Sequence, residues 1–269
     1  MTLGRGVRRI VAGNAGMMTG PGTNTYLLGE REITVVDPGP VEAAHLHAIL
    51  NSAGAPIRFI LATHTHRDHS PLVEELAQRT GAQVIGLRPP GDGRQDESFK
   101  PQHLPRDGES LSLGDCEVTV IHTPGHASNC VCYLLPQERL LLTGDHVLQG
   151  VSPVILPPDG DMAAYLLSLE KLLGLGFDRI APGHGQVIPE AKQAIEALRA
   201  HRLAREDKVV AKLGAAKEAS IEALTPAVYD DVPQDRHAWA RLTLEAHLIK
   251  LKRDGRVSER NGIWQLRSA

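Results

Sequence analysis

Apolar positions in the first half of the chain come in strand-length runs. TYLLG (25–29) and ITVVD (33–37), joined through Glu30, Arg31 and Glu32, read as a hairpin. Residues 41–53 carry a helical pattern. IRFILAT (57–63) is apolar and β-branched enough for a buried strand. SPLVEELAQRTG then predicts a helix with Ser70 as N-cap, Pro71 at the first helical position and Gly81 just past the end. QVIGL (83–87), CEVTVIHT (116–123), NCVCYLL (129–135) and RLLLTGD (139–145) add further strands. Asp161 is placed to cap the helix MAAYLLSLEKLLG, and the strand FDRIAPG leads to His184. This order predicts sheets covered by helices, an α/β or α+β layered domain over residues 1–195.

The pattern changes after that. Residues 189–213 are helical and rich in Ala, Lys, Arg and Glu, and TPAVYDD opens a short helix. Residues 234–252 place Trp239, Leu242, Leu244, His247, Leu248 and Leu251 on one helical face. RVSER and IWQLR flank Asn261-Gly262, a strong signal for a tight hairpin. A linker helix and a small winged-helix-like module over 196–269 follow from these pieces. The one long irregular stretch, RPPGDGRQDESFKPQHLPR (88–106), is either functional or disordered.

Composition narrows the function. The chain has 269 residues, 42% of them hydrophobic, and a net charge of -3, so no global basic field favours nucleic acid or acidic membrane. No apolar run is long enough for a membrane span and the N-terminus has no signal-like apolar core, which predicts a cytoplasmic protein that does not engage membranes. Three cysteines, Cys116, Cys130 and Cys132, argue against a disulfide framework. Cys130 and Cys132 share one strand face and read as core.

The chemistry concentrates in LATHTHRDHS (61–70), where His64, His66, Asp68 and His69 follow an apolar strand. Imidazoles and carboxylates are the donors that zinc and similar divalent ions take, and a tight loop after a rigid strand holds them at little ordering cost. His126 in HTPGHAS, Asp145 in LLTGDH and His184 in APGHG stand in the same position relative to strands, each beside glycine. Seven ligands divide into two metal positions, and paired ions generate a hydroxide near neutral pH. Hydrolysis follows from such a site. Among neighbouring residues, His122 reads as a strand or supporting residue, Asp161 as a cap, His45 and His47 as exposed, and His146 as either pocket or core. Lys250, Lys252, Arg253 and Arg256 read as a solvated helix end, with a nucleic-acid patch as the alternative.

THTHRDH, HTPGH, GDH and PGHG, in this order and preceded by VVDPG, resemble the successive motifs of the metallo-β-lactamase superfamily over residues 20–190. The resemblance implies an αββα sandwich with a winged-helix-like addition, an α+β fold. It implies two divalent ions, zinc first with iron or manganese as alternatives. Position by position, His64, His66 and His126 would bind the first ion, Asp68, His69 and His184 the second, with Asp145 bridging and Asp37 supporting from outside. Asp68 would act in catalysis beside a metal-bridging hydroxide. GPGTNTYLLG, GDHVLQG, PPDGDM and HLIKLKRDGRV further resemble the beta-lactamase-like protein 2 group, which includes an endoribonuclease for single-stranded RNA. Ser70-Pro71 departs from the Gly-Gly usual after the metal motif.

Endoribonuclease action on single-stranded RNA is the first expectation, with glyoxalase II-like thioesterase or lactonase action on a small acyl substrate as the alternative; the ligand set is compatible with both. The 3% aromatic content weighs against base stacking. A winged-helix binding module with a vestigial metal domain, or a single-iron sulfur oxygenase, would be separated from both by metal analysis. The tail is expected either to bring its lysines and arginines toward a polyanion near the metals or to mediate a homodimer.

Overall fold

The computed structural model describes residues 1–267, so the last two residues of the expected tail module lie outside it. The chain divides into two compact units. The first comprises Met1–Pro124, Asn129–Pro153 and Gly174–Lys192; the second comprises Gly125–Ser128, Val154–Leu173 and the chain from Gln193 onward.

The first unit is a sandwich of two sheets. Strands β1 (Thr2–Gly4), β2 (Val7–Val11), β3 (Asn24–Leu28), β4 (Ile33–Val36), β5 (Ile57–Leu61) and β6 (Gln83–Ile85) lie in sequence order in one sheet. The other has the order β11-β10-β9-β8-β7, built from β7 (Ser110–Leu113), β8 (Cys116–His122), β9 (Val131–Leu135), β10 (Leu140–Gly144) and β11 (Arg179–Pro182). The two-residue period of a strand sorts the side chains. Tyr26, Leu28, Val36 and Leu61 of the first sheet meet Val118, Val120, Tyr133, Leu140 and Leu142 of the second in one core. The alternate residues Leu27, Val35 and Ile60 pack outward on Leu46, Ile49, Leu72 and Leu76, under helices α1 (Ala43–Ala53) and α2 (Val73–Thr80). With both faces covered, these strands are near-continuous apolar runs, which is why they were visible in the sequence. The parallel pairs are β4 with β5 and β5 with β6 in the first sheet and β10 with β11 in the second.

The second unit contains α3 (Met162–Leu173), α4 (Ala191–Ala216), α5 (Ile221–Val228) and α6 (His237–Arg253), with a three-stranded sheet in the order β12-β14-β13. Its strands are β12 (Glu218–Ser220), β13 (Val257–Arg260) and β14 (Ile263–Leu266). Val209, Leu213, Leu224, Val228, Leu244, Leu248, Leu251 and Trp264 form its core. Asn261 and Gly262 both take positive φ, 53° and 80°, as the turn of the β13–β14 hairpin requires. No helix among the described residues is long and apolar enough to cross a membrane.

Several expectations need correction. Ser70 does not cap α2, which begins at Val73 with no side-chain cap; its hydroxyl donates instead to Asp96 Oδ2 at 2.6 Å. His45 is buried, 3% exposed, because its Nε2 pairs with the Thr25 hydroxyl at 2.7 Å inside the sheet; His47 is exposed as expected. Trp239 is exposed, so the buried face of α6 runs through Ala240, Leu244, Leu248 and Leu251 without it. The segment TPAVYDD closes α5 instead of opening a helix. Asp161 does cap α3, its Oδ1 accepting from the backbone N–H of Ala163 and Ala164. Cys130 and Cys132 are buried in β9 and its approach, as read.

Candidate metal centre

The ligand loops leave the sandwich at one end, where the parallel strands β4, β5, β10 and β11 finish. Asp37 follows β4, the His64–His69 loop follows β5, Asp145 follows β10 and His184 follows β11. The ends are tied across the sheets: Val131 N–H donates to the Thr63 carbonyl (2.7 Å), and Asn24 N–H to the Gly183 carbonyl (2.7 Å). Asn24 and Tyr26 also donate their side chains to the Pro182 carbonyl, at 2.8 and 2.7 Å. The Arg9 guanidinium, 8% exposed, reaches the Gly185 carbonyl and Gln186 Oε1 at 2.8 Å each. The His184 loop of the second sheet is thus fixed by residues of the first. Arg9 and Asn24 escaped the sequence reading because their partners lie more than 150 residues away.

Asp68, His69, Asp145 and His184 each offer one ligand atom, and these atoms all lie within 4.8 Å of one another. His184 Nε2 stands 3.1 Å from Asp68 Oδ2 and 3.3 Å from Asp145 Oδ2; His69 Nε2 stands 3.5 Å from Asp68 and 3.4 Å from Asp145. Both rings turn Nε2 inward because Nδ1 is engaged elsewhere, in His69 by Asp37 Oδ2 (3.0 Å) and in His184 by the Gly22 carbonyl (3.2 Å). His64 belongs to the same loop, with its ring centroid 4.6 Å from that of His66 and 4.2 Å from that of His69. His126 lies on Gly125–Ser128 of the second unit, with Nδ1 paired to the Val154 carbonyl at 2.7 Å, so Nε2 is the atom it would offer a metal.

Asp37 supports this arrangement from behind. Its carboxylate accepts the Thr63 N–H and hydroxyl, both at 2.7 Å, as well as His69 Nδ1. Thr63 Oγ1 in turn pairs with His64 Nδ1 at 3.1 Å, so one buried carboxylate orients two rings. Asp37 holds this pose at φ 51°, a left-handed conformation that a non-glycine residue keeps only when its surroundings fix it. Close approach explains the adjacent glycines. A Cβ on Gly144 would stand 2.3 Å from Thr63 Oγ1, and one on Gly183 would stand 2.5 Å from Asp145 Oδ1. Thr63 lies inside THTHRDH, and its relay role depends on Asp37, which is 26 residues away in the chain.

Without metal, the charges balance through protons. Burial presses His69 toward neutrality, but Asp68, Asp145 and Asp37 prevail and raise its pKa well above the usual value. Burial opposes protonation of His184 too, yet Asp145 and Asp68 raise it to about 9. Burial raises Asp145 and Asp68, and the facing His69 and His184 rings overcome it, holding Asp145 well below the usual range and Asp68 lowered. Two imidazoles and two carboxylates converging on one point, with the outer ring nitrogens already engaged, fit a divalent ion such as zinc, iron or manganese.

A pH dependence follows. A metal must displace the protons of His69 and His184, so affinity is expected to climb with pH until about 9 and to fall toward acid, with protons released on binding near neutral pH. Calorimetric titration in two buffers of different ionisation enthalpy counts those protons; an affinity flat from about pH 6 to 9 would contradict the scheme. For the metal-free protein the sign reverses. A raised His pKa contributes stability fully present below about 6.5, and that contribution is lost as pH rises through about 9.

Residues 18–184 match the model of the Metallo-beta-lactamase superfamily, and residues 220–264 match the Beta-lactamase associated winged helix domain. A beta-lactamase-like protein 2 homolog of Drosophila melanogaster is 32% identical over 266 residues, covering 93% of this chain and 89% of that protein. Its counterpart in Caenorhabditis elegans is 30% identical over 93% of this chain and 85% of its own length. An atrochrysone carboxyl ACP thioesterase of Aspergillus chevalieri is 30% identical over 94% of this chain and 82% of its own. Among solved structures, a metallo-beta-lactamase family protein from Thermus thermophilus superposes with a TM-score of 0.81 at 25% identity, covering 98% of this chain and 99% of that one. TTHA1623 in a di-iron-bound form gives a TM-score of 0.57 at 25% identity over 70% of this chain and 95% of its own. By its domain match, its ligand motifs and its two-sheet architecture, this chain belongs to the metallo-beta-lactamase superfamily, with the associated winged helix domain at its C-terminal side.

Proposed function

We propose that the chain is a two-metal hydrolase whose substrate carries an apolar acyl group, with a thioester as the first choice. His64, His66 and His126 would hold one ion, Asp68, His69 and His184 the other, and Asp145 would serve both. When bound, paired divalent ions bring a water to a pKa of about 7 and neutralise charge developing on the substrate oxygen. Asp37 keeps the His69 and His64 rings in register throughout. Asp68, with 29% of its side chain exposed, is the most open of its group and would be the carboxylate that takes a proton from the attacking water and passes it to the leaving group as the substrate bond breaks.

The observation that carries the acyl reading is a set of exposed apolar side chains on segments that adjoin the ligand-bearing loops in the chain. Val11, Met17 and Met18 lead from β2 toward Thr23, which bridges to His184. Val41 follows Asp37 and Val151 follows Asp145. These five side chains, Val11 at the end of β2 and the others outside regular elements, are 41–75% exposed, although most large apolar residues elsewhere in the chain are covered. Exposed apolar side chains on these segments suit an acyl substrate better than a polyanion. The thioesterase among the relatives supports the same choice.

Endoribonuclease action on single-stranded RNA is the second reading, favoured by the winged helix domain. It would draw on the cations of α6 and the adjoining turn, and each of these is already paired within the second unit. Lys250 and Arg256 reach Glu206 (2.8 and 3.2 Å), Lys252 reaches Glu259 (3.0 Å), Arg241 faces Glu222 (3.8 Å) and Arg253 pairs with Asp161. A side-by-side assay of one metal-loaded preparation against acyl thioesters of increasing chain length, a lactone, a β-lactam and single-stranded RNA tests the choice. Thioester cleavage improving with chain length is expected; RNA cleavage with inert thioesters would overturn it.

A further inference from the structure

The loop between Arg88 and Arg106 is exposed along most of its length, yet Gln95 and Asp96 are buried, 3% and 9% exposed, with Phe99 beside them in the core. Both residues bond to the loop that carries His64, His66, Asp68 and His69. Asp96 N–H donates to the Thr65 carbonyl at 2.8 Å, and Asp96 Oδ2 accepts the Ser70 hydroxyl at 2.6 Å. The Thr65 hydroxyl donates to Gln95 Oε1 at 2.5 Å and accepts from Asn129 Nδ2 at 2.6 Å, and Asn129 also reaches the Arg88 carbonyl at 3.2 Å. Asp96 is itself held by Ser98, whose N–H and hydroxyl donate to Oδ1 at 3.0 and 2.5 Å.

Thr65 and Ser70 bracket the segment His66–His69. From this we infer that Gln95-Asp96 is a brace for the metal loop, with Asp96 a positioning residue that sets the pose of Asp68 and His69 through Ser70. The brace rests on the reading of those residues as metal ligands, and it gives Ser70 a purpose: a hydroxyl at that position is the donor that Asp96 needs. The bond is buried at both ends, since Ser70 is 0% exposed, so water does not replace it when one partner is lost. Outer partners of metal ligands typically change metal affinity by about 10–100-fold when removed.

Cobalt(II) titration of the metal-free protein, read by the visible absorption of the bound ion, tests the brace without any substrate. Asp96→Ala and Ser70→Ala are each expected to weaken the Asp68–His69 site about tenfold and to alter its absorption band. The double variant is expected to match the singles, because both remove one interaction. Asp96→Asn, whose single amide oxygen can accept from Ser70 or from the Ser98 N–H but not from both, should recover only part of the affinity. Lys100→Ala, an exposed change on the same stretch, should titrate as wild type. Unchanged titrations for Ser70→Ala and Asp96→Ala, or losses that multiply in the double variant, would overturn the inference. If Asp96→Ala fails to fold, the smaller Ser70→Ala decides by the same readout. Wild-type protein that takes up no cobalt at all would instead sink the ligand assignment on which the brace depends.

Discussion

Asp68→Ala is expected to lower turnover by a factor on the order of 10²–10⁴ while the protein stays folded. The carboxylate lies at the protein surface end of its group and contributes no atoms to the sandwich core, so no packing is lost with it. What is lost is a negative charge 3.1 Å from His184 Nε2 and 3.5 Å from His69 Nε2. The midpoint of thermal unfolding should move by no more than about 2–4 °C, equivalent to about 1 kcal/mol. The decisive pairing is turnover with the preferred substrate against thermal midpoint on the same sample. Wild-type turnover would remove Asp68 from the mechanism, and a collapsed midpoint would make it a structural residue.

Gly183→Ala should be as damaging to the centre, through sterics alone. The added methyl would stand 2.5 Å from Asp145 Oδ1, 2.8 Å from His69 Cε1 and 3.0 Å from the Gly144 carbonyl carbon. Neither ligand can retreat easily, since His69 is fully buried and bonded to Asp37 behind it. Overpacking of this kind costs about 1–3 kcal/mol, and here the strain falls on the ligands. Elemental analysis is expected to find the variant short of one metal equivalent, with a lowered thermal midpoint. Gly176→Ala, where an added Cβ meets nothing within 4 Å, is the control and should keep both. Full metal content in Gly183→Ala would show that the centre is looser than these distances imply.

The parts of the molecule legible in the sequence are those where local pattern and tertiary role agree. Strands β3, β4, β9 and β10 are buried along their whole length, and β5 except at Arg58 and Phe59, so apolar runs announce them. The ligand loops follow such strands directly, and Asn261-Gly262 carries its own turn geometry. Harder to see are elements whose residues are fixed by distant partners. β2 reads as polar because Arg8 and Arg9 interrupt it, and Arg9 is buried only by virtue of the Gly185 carbonyl. β7 (SLSL) is four residues of weak contrast and β12 (EAS) is three. Ser70 looks like an N-cap by local rules, and a carboxylate 26 residues later claims its hydroxyl instead. His45 sits in a helix whose polar residues should face water, and a threonine of the adjoining sheet draws it inward. In each case the local rule was sound and a long-range bond outweighed it.

The site is made from the ends of strands far apart in sequence, and that sets an order of events during synthesis. Asp37, the His64–His69 loop and Asp145 leave the ribosome well before His184, whose loop is locked by Arg9 and Asn24 near the N-terminus. The first residues made and the last ligand made must therefore meet before the four-residue group closes. A nascent chain stalled before β11 would hold three of the four ligands with no means of converging them, and the unpaired end of β10 would lie open where β11 belongs. Capture of the ion would then mark the end of the sandwich's assembly, and an ion bound only to the closed form would draw late intermediates into the native state by mass action.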